Sequence, residues 1–190
     1  AQGEGHTFRH DSGGRLIVGM PLTVLKSSST AQSLAMMQEH EQARLVAGGT
    51  ALQLEWARGL AKPPVLVSLN GIAGLSGISF CGGGMRIGSF TTLAGLCREP
   101  LVLEHLPLLA AASRSVAAPS VRNLGTLGGN IAARNGCPLP ALLALDAFIE
   151  GERATGRFHE RLLDWLQRPA ERCEVIEAVY VRAMATASRW

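Results

Sequence analysis

The stretch Ser120-Val121-Arg122-Asn123-Leu124-Gly125-Thr126-Leu127-Gly128-Gly129-Asn130 sets three glycines, two asparagines and a threonine among short apolar runs. Glycine permits positive φ and lets the backbone approach a ligand with no Cβ in the way. Successive backbone N–H groups in such a turn can form a concave, anion-binding nest. Thr126 and Asn130 add side-chain donors and acceptors to the same surface. A plain glycine-rich surface loop satisfies the same turn rules.

A second stretch of this kind lies far upstream. Arg44-Leu45-Val46-Ala47-Gly48-Gly49-Thr50-Ala51-Leu52 reads as a short strand, a glycine turn and the start of a helix. That order aims amide groups and a helix N-terminus at a phosphate. No Gly-Lys-Ser/Thr follows, so it is not a Walker loop, and the three-glycine dinucleotide fingerprint is missing. Two nests can clamp one pyrophosphate between them. The pattern marks a cofactor site and assigns no residue as catalytic acid, base or nucleophile.

Four motifs occur in order: Ala47-Gly48-Gly49-Thr50, Met85-Arg86-Ile87-Gly88-Ser89-Phe90-Thr91-Thr92-Leu93, the stretch 121–130, and Pro140-Ala141-Leu142-Leu143-Ala144-Leu145-Asp146-Ala147. Over residues 29–183 the series resembles the FAD-binding medium subunit of molybdenum hydroxylases, the xanthine dehydrogenase and carbon monoxide dehydrogenase group. The resemblance implies an α+β, two-lobed FAD-binding fold of the vanillyl-alcohol oxidase/PCMH type. Residues 29–69 would form the small first lobe and 70–183 the second, between a poorly defined segment 1–28 and a tail 184–190.

The resemblance also implies FAD contacts. Leu45, Val46, Ala47, Gly48, Gly49, Thr50, Ala51 and Leu52 would supply one wall of the site. Gly125, Thr126, Leu127, Gly128, Gly129 and Asn130 would supply the other. Thr91, Val116 and Ile176 fall where family residues approach the flavin, although a helix cap at Thr91 or Thr92 and a core valine at 116 would look the same. The family carries a Ser-Pro-x-x-Asp segment whose acid contacts the cofactor. Here Ile131-Ala132-Ala133-Arg134-Asn135-Gly136-Cys137-Pro138 takes its place without an acid, and Asn135 is the residue left to supply a hydrogen bond. Implied partners are a molybdopterin-binding large subunit and a 2Fe-2S small subunit, with NAD or another acceptor taking the electrons. Family members continue into a C-terminal α+β domain that has no counterpart after Ala183. The expectation is a shortened subunit, a fragment or the product of a split gene. A structural subunit of the same fold without productive FAD binding is the main alternative. A free-standing flavoenzyme of the cell-wall precursor reductase kind would need its own substrate domain.

Composition agrees with a packed protein. The chain has 190 residues, 47% of them hydrophobic, and a formal net charge of +3. The charge is small and scattered, with no basic run carrying interleaved aromatics, so nucleic acid is not an expected partner. No uninterrupted apolar run is long enough to span a bilayer and no signal-peptide pattern opens the chain; a cytoplasmic protein is expected. Cys81, Cys97, Cys137 and Cys173 form no Cys-x-x-Cys pair, so no metal or iron–sulfur site is expected within the chain. His6, His10 and Asp11 match no standard metal spacing.

Elements follow from pattern. Residues 15–19 read as a short strand. A helix capped by Ser29 or Thr30 runs to about residue 40, and another runs over 50–58 with Glu55 and Arg58 as a solvated pair. Val65 begins a strand to Leu69. Cys81-Gly82-Gly83-Gly84 turns a hairpin of 77–80 and 85–88. Thr91 opens a helix to about 98. Pro107 divides two helices, the second carrying Leu108, Leu109, Ala112 and Val116 to the core. Residues 139–145 form a buried helix; the resemblance implies a short helix over 159–166, with His159 on the surface, and a strand over 173–181 that closes the second lobe.

Overall fold

The computed structural model describes residues 8–10, 16–18 and 22–182, with side chains from Leu22 onward. His6, Asp11 and residues 183–190 lie outside the described residues, and His10 is described only as backbone. Strands β1 (Phe8–His10) and β2 (Leu16–Val18) pair antiparallel.

The first lobe is a three-stranded parallel sheet made of β3 (Thr23–Lys26), β4 (Arg44–Val46) and β5 (Val65–Ser68) in the order β3-β5-β4. Parallel neighbours need crossover connections, here helices α1 (Thr30–Glu39) and α2 (Thr50–Ala57). The sheet takes its first strand from the stretch that the sequence leaves undefined before residue 29. Ser29 caps α1 by accepting a hydrogen bond from the Gln32 amide at 3.1 Å. Leu34 and Met37 form its buried face.

The second lobe is a five-stranded antiparallel sheet. Its strands are β6 (Ile78–Cys81), β7 (Gly84–Gly88), β8 (Phe148–Arg153), β9 (Gly156–Arg161) and β10 (Glu174–Arg182), in the order β6-β7-β10-β8-β9. The expected closing strand β10 is therefore the central one, which explains why Ala178, Val179 and Val181 are fully buried. A bulge falls between Ile176 and Ala178. Seven helices accompany this sheet, with α7 against β10 and α9 against β9: α3 (Leu93–Leu96), α4 (Pro100–His105), α5 (Pro107–Arg114), α6 (Pro119–Leu124), α7 (Leu127–Ala132), α8 (Pro138–Ala144) and α9 (Leu162–Gln167). Met85, Ile87, Leu109, Leu127, Leu142 and Ile149 anchor the core between them.

Several local expectations change. Thr92, not Thr91, caps α3 by accepting from the Gly95 amide at 3.0 Å, because the Thr91 backbone is already tied to Gly88 and Leu127. Glu55 pairs with Arg44 across the turn between β4 and α2 rather than with Arg58. Leu108 points outward and is 49% exposed, while Leu109 and Ala110 face the core. Residues 159–161 extend β9, and the helix starts only at Leu162. Phe158 is buried while His159 is exposed and stacks on Phe148, the alternation of a strand.

The lobes are tied through α1. Thr30 Oγ1 lies 2.8 Å from Glu177 and 2.7 Å from Glu152, at the helix start. At its end Arg172 donates to the carbonyls of Met37 and His40. The groove between the lobes is thus formed by the fold itself.

Candidate cofactor-binding groove

The turn between β4 and α2 is built to leave donors free. Gly49 adopts φ 71°, a left-handed conformation that glycine alone enters without cost, and it sits at the N-cap with no side chain to serve as cap. Among the described residues the amides of Thr50, Ala51 and Leu52 make no hydrogen bond, as expected of an uncapped first turn. They carry the positive end of an eight-residue helix.

The second glycine stretch is built differently. None of Gly125, Gly128 and Gly129 has positive φ. Gly125 is extended, Thr126 caps α7, and Gly128 and Gly129 form its first turn. Its amides are engaged: Gly125 with Val121 O (2.7 Å), Leu127 with Thr91 O (2.9 Å), Gly128 with Ser89 O (2.8 Å) and Gly129 with Thr126 Oγ1 (3.1 Å). The expected second nest is thus a capped helix start: Ser89 and Thr91, between β7 and α3, accept from Gly128 and Leu127, while α6 and the Thr126 side chain take the other two, and among the described residues the Thr126 amide makes no hydrogen bond. Its glycines serve close packing. A Cβ on Gly128 would lie 2.6 Å from Ser89 Cβ, and one on Gly48 would lie 1.8 Å from the Leu124 carbonyl oxygen.

Between these turns lies a cavity of about 380 Å³. Its walls take in Leu45, Val46, Ala47, Gly48, Gly49, Thr50, Ala51 and Leu52 from one side and Val116, Gly125, Thr126, Gly129, Asn130 and Asn135 from the other. A smaller cavity of about 140 Å³ adjoins it, sharing Leu45, Ala47, Thr126, Gly129 and Ala132, and takes in Gly128 and Ile176. Thr91 and Leu127 line neither cavity; Leu127 is fully buried in the core.

Further residues reach the smaller cavity. Ser89 is only 3% exposed, and among the described residues its hydroxyl makes no hydrogen bond. Phe90 lies next to it. Both stand inside the Met85–Leu93 motif, so the sequence did carry a signal for them. Arg134, Trp165 and Glu174 line the same cavity and had none, because tertiary packing alone brings them together. Trp165 Nε1 donates to Glu174 at 2.5 Å, and the Arg134 guanidinium lies over the indole at 4.2 Å. Burial opposes the charge on Arg168, yet its hydrogen bonds to Glu174 and Glu160 leave its pKa raised. Among the described residues no cluster of His, Cys, Asp or Glu is arranged to hold a metal, and no helix is long and apolar enough to cross a membrane.

An extended groove with free amides on one side, apolar walls and no catalytic constellation suits a long phosphate-bearing cofactor. Comparison with known proteins agrees. Residues 20–182 match the family described as the FAD binding domain in molybdopterin dehydrogenase. The chain belongs to this family. It is 35% identical over 144 residues to the nicotine 6-hydroxylase medium subunit of Paenarthrobacter nicotinovorans, covering 73% of this chain and 50% of that one. It is 38% identical over 132 residues to the carbon monoxide dehydrogenase medium chain of Hydrogenophaga pseudoflava, covering 68% and 46%. A solved carbon monoxide dehydrogenase from that organism superposes with a TM-score of 0.81 at 29% identity, covering 87% of this chain and 60% of its own. Quinoline 2-oxidoreductase from Pseudomonas putida 86 gives a TM-score of 0.78 at 26% identity, covering 86% and 60%. The fold is therefore the two-lobed FAD-binding fold of the PCMH type, and the family's cofactor is FAD. The chain spans about half the length of these curated relatives.

Proposed function

We infer that this FAD-binding chain is the electron-transfer portion of a molybdenum hydroxylase-type oxidoreductase. Electrons would come from the 2Fe-2S clusters of a small subunit, after substrate oxidation on a molybdopterin-binding large subunit, and leave to NAD or another acceptor. The setting that suits such a complex is the cytoplasm. FAD, when bound, supplies the redox chemistry, and the protein supplies binding and orientation.

The observation that carries this reading is the uncapped first turn of α2, opening on the larger cavity beside Gly48 and Gly49. Thr50, Ala51 and Leu52 would hold the pyrophosphate through their amides. Asn130 and Asn135 would serve the polar parts of the cofactor from the opposite wall, with Val116 against its apolar surface. Ser89, Trp165 and Ile176 would bound the part that enters the smaller cavity. The missing acid in residues 131–138 favours the alternative of a structural subunit without productive FAD binding.

An absorption spectrum of the purified chain decides between them. Flavin bands, with FAD released on denaturation, are expected. A colourless protein that takes up no added FAD would contradict the reading.

A further inference from the structure

We propose that Arg134 is a positioning residue for the cofactor, holding the wall that replaces the family's acidic segment. The inference rests on the reading of the groove as an FAD site. Arg134 belongs to the connection between α7 and α8, whose residues Ala133, Asn135, Gly136 and Cys137 all line the larger cavity. Arg134 itself does not line that cavity; its side chain reaches the wall of the smaller one. Its guanidinium donates to the carbonyls of Leu166 (3.1 Å), Arg168 (2.7 Å) and Trp165 (3.3 Å), closing the end of α9, and stacks on the Trp165 indole. A planar five-donor fork can meet several carbonyls at once in a fixed geometry, which the rotating ammonium of a lysine does not hold.

The backbone at Arg134 is left-handed, with φ 57°, a strained state for a residue with a Cβ that persists only where surrounding contacts impose it. On its other flank, Gly136 packs so closely on Asn130 that a Cβ would meet the Asn130 carbonyl oxygen at 2.8 Å. The connection is thus pinned from both sides, and what it presents between the pins is Asn135. That side chain is exposed to the cavity and makes no hydrogen bond among the described residues. A wall ordered before binding spares the ligand the cost of ordering it.

The test compares four forms of the 190-residue chain: wild type, R134A, R134K and R86A. The Kd for FAD is read from flavin fluorescence and the bound-flavin environment from visible circular dichroism, both well below each form's Tm. Arg86 pairs with Glu150 at 2.7 Å within the second-lobe sheet and lines neither cavity, so its loss removes an arginine tie that does not hold the groove. R134A is expected to raise Kd about tenfold or more and to alter the visible spectrum. R134K keeps donors within reach but loses the planar fork, and should fall between R134A and wild type. R86A should lower Tm while leaving Kd within about twofold. A folded R134A with unchanged Kd and spectrum would overturn the proposal, as would R86A weakening FAD equally. If R134A does not fold, an R134K chain indistinguishable from wild type overturns it. A wild-type chain that takes up no FAD overturns the underlying reading, and the proposal with it.

Discussion

Two glycine-bearing turns face each other across the larger cavity, and their amides go to different places. Among the described residues, the turn before α2 leaves the amides of Thr50, Ala51 and Leu52 without acceptors. The turn before α7 has its Gly125, Leu127, Gly128 and Gly129 amides bonded within the protein. One turn is an electropositive surface, and the other is a packed support that brings Asn130 and Thr126 to the opposite wall. What separates a ligand-binding glycine from a packing glycine is the destination of its neighbours' hydrogen bonds, not the number of glycines in the run.

Substitutions can break that contrast or sharpen it. The largest effect is expected at the point where the turns touch. In Gly48→Ala the new Cβ meets the Leu124 carbonyl oxygen at 1.8 Å, and neither backbone can give way without parting the walls. Unfolding free energy should fall by about 3 kcal/mol or more in denaturant titration, with FAD affinity lost as well. Gly128→Ala crowds Ser89 at 2.6 Å and should cost about 1–3 kcal/mol. Its flavin binding should follow stability, since the Gly128 amide is bonded to Ser89 O and is not offered to the ligand.

Gly49→Ala separates the two roles. Its Cβ would meet nothing closer than a Val46 methyl at 3.8 Å, so the cost comes from φ 71° alone. About 1–2 kcal/mol of stability should be lost. FAD affinity should fall further than that loss of stability explains, because the first-turn amides shift; isothermal titration of a still-folded variant checks this.

The smallest effect concerns the ion pair that braces the first turn. A hydrogen bond from Arg44 holds the Glu55 carboxyl below its ordinary pKa. A depressed carboxylate pKa stabilises the fold above the ordinary carboxylate range and loses that contribution as pH falls through the folded value. Glu55→Gln should therefore destabilise by about 0.5 kcal/mol or less near neutrality, since the pair is largely exposed. The difference from wild type should vanish in acid, as read from Tm against pH.

Much of this architecture was legible from local pattern. Ser29 as a cap, the Gly82-Gly83 hairpin turn and the break at Pro107 are each set by the chemistry of a few adjacent residues. So is the β4–turn–α2 unit that carries the first turn. Long-range pairing is what the pattern did not contain. The parallel strand Thr23–Lys26 has too little internal signal to stand out without β5 beside it. The central place of β10 depends on two partners distant in sequence. The same holds at the site. Residues 45–52, Val116, Gly129, Asn130 and Asn135 do converge on one cavity, as the motif order suggested. At the second turn, whose Gly125, Thr126, Gly129 and Asn130 line the larger cavity, nothing local says that Thr91 and Ser89 will take the Leu127 and Gly128 amides. Thr91 and Leu127 fall outside both cavities for that reason: the bond between them ties the turn to the α3 approach.

The unequal turns can be tested together by recording 1H–15N correlation spectra of the assigned chain during titration with FAD. The account predicts the largest amide shifts at Thr50, Ala51 and Leu52, with the engaged amides of Gly125, Leu127 and Gly128 moving far less. Dominant shifts at those engaged amides, with residues 50–52 unmoved, would contradict it.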